Sequence, residues 1–396
     1  MSTKIDLSHI VTEEKAAEKL AESRAAYEKL TKKGSKSKKW MSILLLAVNV
    51  VVVAVIAALE FGGNKETVPF KTVFSTWGMN WPFLICILGM IIIYYLTDIL
   101  RSAVLIKNST GHFHFKEATK SSLLCKYYDN ITPFGSGGQP FQMYYLSKSL
   151  PIGVATSLPL IILSISQIVF FIIAVVNFII FPSAVSSYVK IASYFGVFLY
   201  ILVPIAVLFF SLMPKLMSSI LKWLLKIGVK LKLIKDYDKK LNKTLNTLTE
   251  YRLVFKDLGK SFWTIFICAA LSVLHHYSIM SIPYFVMRVS GINVSWVEIT
   301  VMTIYIYAAI TFIPTPGNSG AAEGTFYALF SILQGGYLFW GMMLWRFSVF
   351  YLIIIVGLVL IFVDYVIRFK RISRVTAELE AAENRHKEII ESNRKQ

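Results

Sequence analysis

An all-α, polytopic membrane fold is predicted by three observations. The chain of 396 residues is 56% hydrophobic and 14% aromatic, with a mean hydropathy of +0.61, far too apolar for an ordinary soluble domain. Its apolar residues gather in runs long enough to cross a hydrocarbon core. Two of those runs are broken by look-alike polar segments, Thr132-Pro-Phe-Gly-Ser-Gly137 and Thr315-Pro-Gly-Asn-Ser-Gly320. The expected architecture is about eight transmembrane or half-membrane helices with two inverted re-entrant elements, at about 127–149 and 312–333, and cytosolic terminal helices.

Residues 1–39 form the first segment. From 12 to 31 Ala, Glu, Lys and Leu dominate, Thr12 is placed to cap, and two glutamates lie in the first turn, which predicts a charged cytosolic helix. The basic linker 32–39 follows. These residues are too polar for a cleaved signal peptide, so the run from Trp40 is expected to act as a retained signal anchor.

The membrane domain is predicted over 40–365. Apolar runs lie at about 40–61, 80–100, 150–181, 191–213, 262–287, 296–313, 318–335 and 338–364. The sixth and seventh are short and meet at the second break, as a full hairpin or as two half-helices. After Asp364 a mixed-charge tail, 366–396, is expected to be a cytosolic helix or a contact with a second copy of the chain.

Loop charge gives the orientation, because Lys and Arg are retained on the cytoplasmic side. The segment 214–261 carries twelve Lys or Arg against four acids, while the linkers 62–78, 182–190 and 288–296 carry four between them. Both termini are therefore expected in the cytosol. Residues 101–149 then leave and return on that side, so the first break dips in from the cytosol and the second from the opposite face. Placing Thr132 on Thr315 also superposes Tyr144 on Tyr327 and Leu146 on Leu329. Between the two halves, 215–235 sets Lys215, Lys222, Lys226 and Lys230 against Leu, Ile and Trp223, a pattern expected to lie along the inner leaflet.

The net charge of +18 is explained by basic residues beside apolar spans, where they meet anionic headgroups; nucleic acid is not an expected partner. Cys86, Cys125 and Cys268 lack CxxC spacing and form no disulfide framework. No nucleotide-binding or serine-hydrolase motif is present, no cofactor is called for, and His112 and His114 lack the further ligands of a metal site.

Non-helical backbone at membrane depth survives only when buried in protein or lining a polar cavity, so both breaks are candidate sites. In the first, Gly135, Gly137 and Gly138 let successive amides converge before a helix, an arrangement that attracts anions such as a lipid phosphate. Thr132, Ser136 and Gln139 complete the expected headgroup contacts. In the second, Thr315, Gly317, Ser319 and Gly320 precede Glu323. A carboxylate there complements the helix dipole, yet at membrane depth it is costly and points to function. Arg346, inside the last span, is its expected partner. His275 and His276 are adjacent within a span, so their side chains diverge by roughly 100° and one of them can face a cavity, as can Tyr144 and Tyr327. Asp98 and Arg101, ending the second span, and Asp364, ending the last, read as interface residues.

Residues 131–146 (ITPFGSGGQPFQMYYL) and 314–324 (PTPGNSGAAEG) resemble the lysylphosphatidylglycerol synthase transmembrane family, the flippase-like domain of the multiple peptide resistance factor. In hydropathy the resemblance extends over about 40–365. It implies a multi-pass protein of a bacterial plasma membrane that moves an anionic or aminoacylated phospholipid, such as lysyl-phosphatidylglycerol, between leaflets, with resistance to cationic antimicrobial peptides as the outcome. Full-length family members carry a separate C-terminal cytosolic lysyltransferase domain, which is not expected here. The alternatives are phosphatidylglycerol lysyltransferase activity itself and a lipid-binding scaffold for a separate synthase.

Overall fold

The computed structural model describes residues 18, 21–22, 68–230, 236–311, 313, 315–330 and 337–395. The chain divides into two units, one of residues 56–357 and one of 1–55 with 358–396. Glu18, Ala21 and Glu22 are helical; the rest of the helix expected over 12–31, the linker 32–39 and the apolar run 40–61 lie outside the described residues.

Within 56–357 the short helix α1 (Phe70–Met79) leads into α2 (Trp81–Thr110). Pro82 stands in the first turn of α2, where a missing N–H costs no helical hydrogen bond. Next come α3 (Phe115–Ile131), a 3-10 turn at Pro133–Gly135, and α4 (Gly138–Leu146). Two long apolar helices follow, α5 (Ile152–Ile180) and α6 (Ser187–Leu212). The basic region forms α7 (Pro214–Lys230) and α8 (Tyr237–Gly259).

The second half opens with α9 (Phe262–Met280) and α10 (Ile282–Val289), separated at Ser281. There the Ser281 hydroxyl donates to the Tyr277 carbonyl at 2.7 Å and accepts from Trp296 Nε1 at 2.9 Å. Then come α11 (Trp296–Ile310), a 3-10 turn at Pro316–Asn318, α12 (Ala321–Leu329), α13 (Tyr337–Arg346), a π-helical turn at Phe347–Tyr351, and α14 (Leu352–Lys395). In the other unit, the part of α14 from residue 358 onward is charged, with Arg374 Nε pairing one turn ahead with Glu378 at 3.2 Å.

Five stretches among the described residues are long and apolar enough to cross a membrane: Trp81–Thr110, Ile152–Ile180, Ser187–Phe209, Phe262–Val289 and Tyr337–Ser392. The runs expected at 296–313 and 318–335 resolve into helices of 15 and 9 residues. At 1.5 Å per residue they run about 22 and 14 Å, short of about 30 Å of hydrocarbon.

Superposing Thr132 on Thr315 reveals a repeat that reaches beyond the six-residue motif. The turn Pro133–Gly135 falls on Pro316–Asn318, and α4 falls on α12, residue for residue at both ends. The backbone agrees as well: Phe134 and Gly135 have φ of 57° and 58°, Gly317 and Asn318 of 59° and 55°. On the same register α2 answers to α9 with α10, and α5 to α13 with the start of α14.

The halves interlock. Helix α2 packs along α9, α6 along α11, and the two 3-10 turns pack against one another. One core, containing Ile87, Phe170, Met280, Ile306, Phe326 and Trp345, joins both halves. A second, with Ala103, Leu146, Leu158 and Leu258, seats α8 and α4 against α2 and α5.

Candidate functional site

The second break is built around one guanidinium. Helix α11 ends at Ile310, and Asn318 N donates to the Thr315 carbonyl at 3.0 Å to close the 3-10 turn. Thr315 Oγ1 donates to the Ser319 carbonyl at 2.9 Å. Arg346, the last residue of α13, donates from Nη1 to the Gly317 carbonyl at 3.1 Å and from Nη2 to Ser319 Oγ at 2.7 Å. Its Nε pairs with the Glu323 carboxylate, whose other oxygen accepts the Gly320 N–H at 2.5 Å.

Arg346 is 2% exposed and Glu323 8%. A charge pair this deep persists because hydrogen bonds satisfy what the pair leaves over. Here Gly317, Ser319 and Gly320 supply them. The π-turn that follows Arg346 at once carries Phe350, whose ring lies 4.7 Å from the Arg346 guanidinium. Gly317 is required twice over: its φ of 59° favours glycine, and a Cβ there would run into the Phe350 ring. The expected partnership of Glu323 and Arg346 is present, with Thr315, Gly317, Ser319 and Gly320 gathered around it.

The first break has the same turn and a different lock. Thr132 Oγ1 accepts the Gly137 N–H at 2.9 Å while donating to the Tyr128 carbonyl at 2.7 Å. The Asp129 carboxylate accepts the Gly138 N–H at 2.8 Å, Gln139 Nε2 at 3.4 Å and the Cys125 thiol at 3.7 Å. A Cβ on Gly138 would collide with that carboxylate and with the Cys125 carbonyl. This corrects the expectation that the Gly137 and Gly138 amides stand open to a lipid phosphate. The cradle forms, but its two amides are taken by the chain's own Thr132 hydroxyl and Asp129 carboxyl. Gly135 N–H donates within the turn, to the Thr132 carbonyl at 3.2 Å, and Ser136 is exposed, its hydroxyl turned to the Pro133 carbonyl at 2.9 Å.

A third cluster lies where sequence reasoning placed interface residues. Asp98 and Arg101, one turn apart on α2, form an ion pair, and Lys126 of α3 adds a second cation at 2.5 Å from Asp98. Arg101 is 2% exposed and Lys126 8%. Arg101 Nη1 donates to Ser272 Oγ at 2.9 Å, and Lys126 Nζ stands 3.6 Å from the centre of the Tyr94 ring.

His275 completes this cluster. It stacks on Tyr94 with centroids 4.4 Å apart, and its Nδ1 lies 3.2 Å from Thr97 Oγ1 and 3.8 Å from Asp98. His276 turns the other way, placing Nε2 3.0 Å from the Ser166 carbonyl of α5. The divergence expected of adjacent helical residues is thus realised, and both histidines are buried. Tyr144 is 59% exposed, beneath the Lys148 ammonium, while α4 buries Gln142 and Leu146. Its counterpart Tyr327 is half-buried beside the main core. Lys126 and Asp129 were missed because they precede the first motif in a stretch of mixed polarity. The available signal was the i, i+3 pair Asp98 and Arg101 inside an apolar run, since charges at that depth rarely stand alone.

The chain matches no curated protein. Residues 44–357, most of the chain, match the family model described as the lysylphosphatidylglycerol synthase TM region. With the paired polar breaks and the apolar helices that carry them, this establishes that the chain belongs to the lysylphosphatidylglycerol synthase transmembrane family, a membrane protein family with a lipid-related function.

Proposed function

We propose that residues 40–365 act as a lipid translocase, moving an anionic or aminoacylated phospholipid such as lysyl-phosphatidylglycerol between leaflets through a cavity bounded by the two breaks. The observation that carries this reading is the buried Glu323–Arg346 pair, tied by Gly317 and Ser319 to a turn that packs on its own structural copy. A guanidinium presents a planar donor fork suited to phosphate, and a carboxylate beside it suits the ammonium of a lysyl headgroup.

A buried pair is costly to separate unless each charge finds a new partner. A headgroup carrying both signs offers those partners together, so exchange between the internal pair and the lipid keeps the charges compensated. Inverted elements of this kind give alternating access around a fixed site. In this reading the protein sits in a bacterial plasma membrane with both termini cytosolic, acts without a cofactor, and receives its lipid from a separate synthase.

The test is reconstitution of the full chain in liposomes with fluorescent phosphatidylglycerol and lysyl-phosphatidylglycerol, following leaflet exchange by quenching. Exchange should require the protein and fall at least about tenfold in Glu323→Gln and Arg346→Gln, the loss of about 1.4 kcal/mol. Protein-independent exchange of every lipid tried would remove the reading.

A further inference from the structure

Away from both breaks, a groove of about 640 Å³ lies between α5, α6, α8 and α9. This size falls in the range of small-molecule sites. Its walls are apolar, formed by Ile161 of α5, Leu208 of α6, Leu253 of α8 and Ile265 of α9, and two cations, Arg252 and Lys256, stand one turn apart on α8. None of these residues belongs to the Glu323–Arg346 site or to the Asp98 cluster.

The cations mark one end. Arg252 Nε donates to the Ser211 carbonyl at 3.3 Å, next to the last residue of α6. Glu250, two residues earlier, accepts the Gly153 N–H at 2.8 Å, in the first turn of α5. Arg252 therefore sits where α6 ends and α5 begins, on the side of the basic segment. The wall from Ile161 to Ile168 starts about 14 Å along α5 and climbs roughly 10 Å further toward the middle of the span.

Neither cation is balanced from within. Asp257, the acid adjacent in sequence, pairs with Lys260 at 3.4 Å, and Glu250 is engaged by the Gly153 amide. Among the described residues Arg252 and Lys256 pair with no carboxylate. Two uncompensated cations at the end of a span, opening onto an apolar wall that runs toward the bilayer centre, complement one kind of molecule. A free phosphate would leave the wall bare, and a neutral lipid would leave the cations unmatched.

We propose that this groove binds an anionic phospholipid of the leaflet on the basic side, its phosphate between Arg252 and Lys256 and an acyl chain along Ile161, Leu208 and Ile265. Juxtamembrane cations attract acidic headgroups, and the chain's methylenes leave lipid for a fitted wall.

The experiment uses the full chain in nanodiscs containing phosphatidylglycerol with a diazirine in its acyl chain, or phosphatidylcholine with the same label. Phosphatidylglycerol should crosslink to peptides carrying 161–168 and 208–212 and survive partial delipidation in native mass spectrometry; phosphatidylcholine should do neither. The double variant Arg252→Gln/Lys256→Gln, altered at two exposed positions, should retain about tenfold less phosphatidylglycerol. Leu208→Trp should abolish the wall crosslinks while eluting as a single species. Glu323→Gln should keep full groove binding, which separates this site from translocation. Equal retention of the two lipids, undiminished retention in the double variant, crosslinks elsewhere, or displacement by inorganic phosphate alone would each overturn the proposal.

Discussion

Phe134 and Gly317 occupy the same place in two copies of one turn, with φ of 57° and 59°, yet only one of them is a glycine. Phe134 is 61% exposed, so its side chain meets no obstacle and the cost is confined to the backbone. Gly317 lies against Phe350 and under the Arg346 guanidinium, where space and conformation both demand the smallest residue. Gly317→Ala should therefore destabilise the protein by about 2 kcal/mol or more. Phe134→Gly should stay within about 1 kcal/mol of the parent. Thermal unfolding of the purified variants in micelles reads both.

The Glu323–Arg346 pair should behave as a unit. Glu323→Gln and Arg346→Met each leave a buried charge without its partner, at a cost of about 3–5 kcal/mol. The double variant should cost less than the two singles added together. Arg346→Lys keeps the charge but cannot reach Gly317, Ser319 and Glu323 at once, and should lose stability despite its conservative appearance. A double-mutant cycle by thermal unfolding decides, with additive losses counting against coupling.

The Asp98 carboxylate pairs with two cations, Arg101 and Lys126. Asp98→Asn should cost about 3–5 kcal/mol, and adding Lys126→Met should recover a good part of it by removing one stranded cation. Lys126→Met in the parent should be milder than Asp98→Asn. The order of the three melting temperatures is the readout.

At the first turn the measure is which acceptor remains. Asp129→Asn keeps an oxygen for the Gly138 N–H and should cost about 1 kcal/mol, whereas Asp129→Ala leaves buried donors unpaired and should cost about 1–3 kcal/mol. Hydrogen exchange at Gly138 should accelerate strongly in the alanine variant only.

Membrane sidedness can be read chemically. In a background without Cys86, Cys125 and Cys268, Ser136→Cys should react with an impermeant maleimide from the side that bears the 214–261 segment. Tyr188→Cys, in the first turn of α6 and 87% exposed in the parent, should react from the other. Labelling of both from one side would defeat this assignment of sides.

What the sequence made legible followed from what lipid forbids. An interrupted apolar run and a lone carboxylate in it are anomalous in hydrocarbon, so both breaks, Glu323 and Arg346 stand out from the sequence alone. The shortness of α11 and α12 was legible only in part, because the length of an apolar run in sequence does not say how much of it is helical. The Asp98 cluster escaped because Lys126 lies in a stretch whose composition resembles a surface loop, and only packing of α3 against α2 brings it beneath Tyr94. Asp129 escaped for a related reason: three residues before the motif, it looks like a helix-end acid, and its role appears once the chain has turned back to bring Gly138 within 2.8 Å.

That last contact makes the first turn a socket supplied with its own plug. An outside anion is held by the Gly138 amide only in exchange for the Asp129 carboxylate, one acceptor displacing another. Its affinity there is then a difference between two acceptors, the incoming group and the chain's own carboxyl.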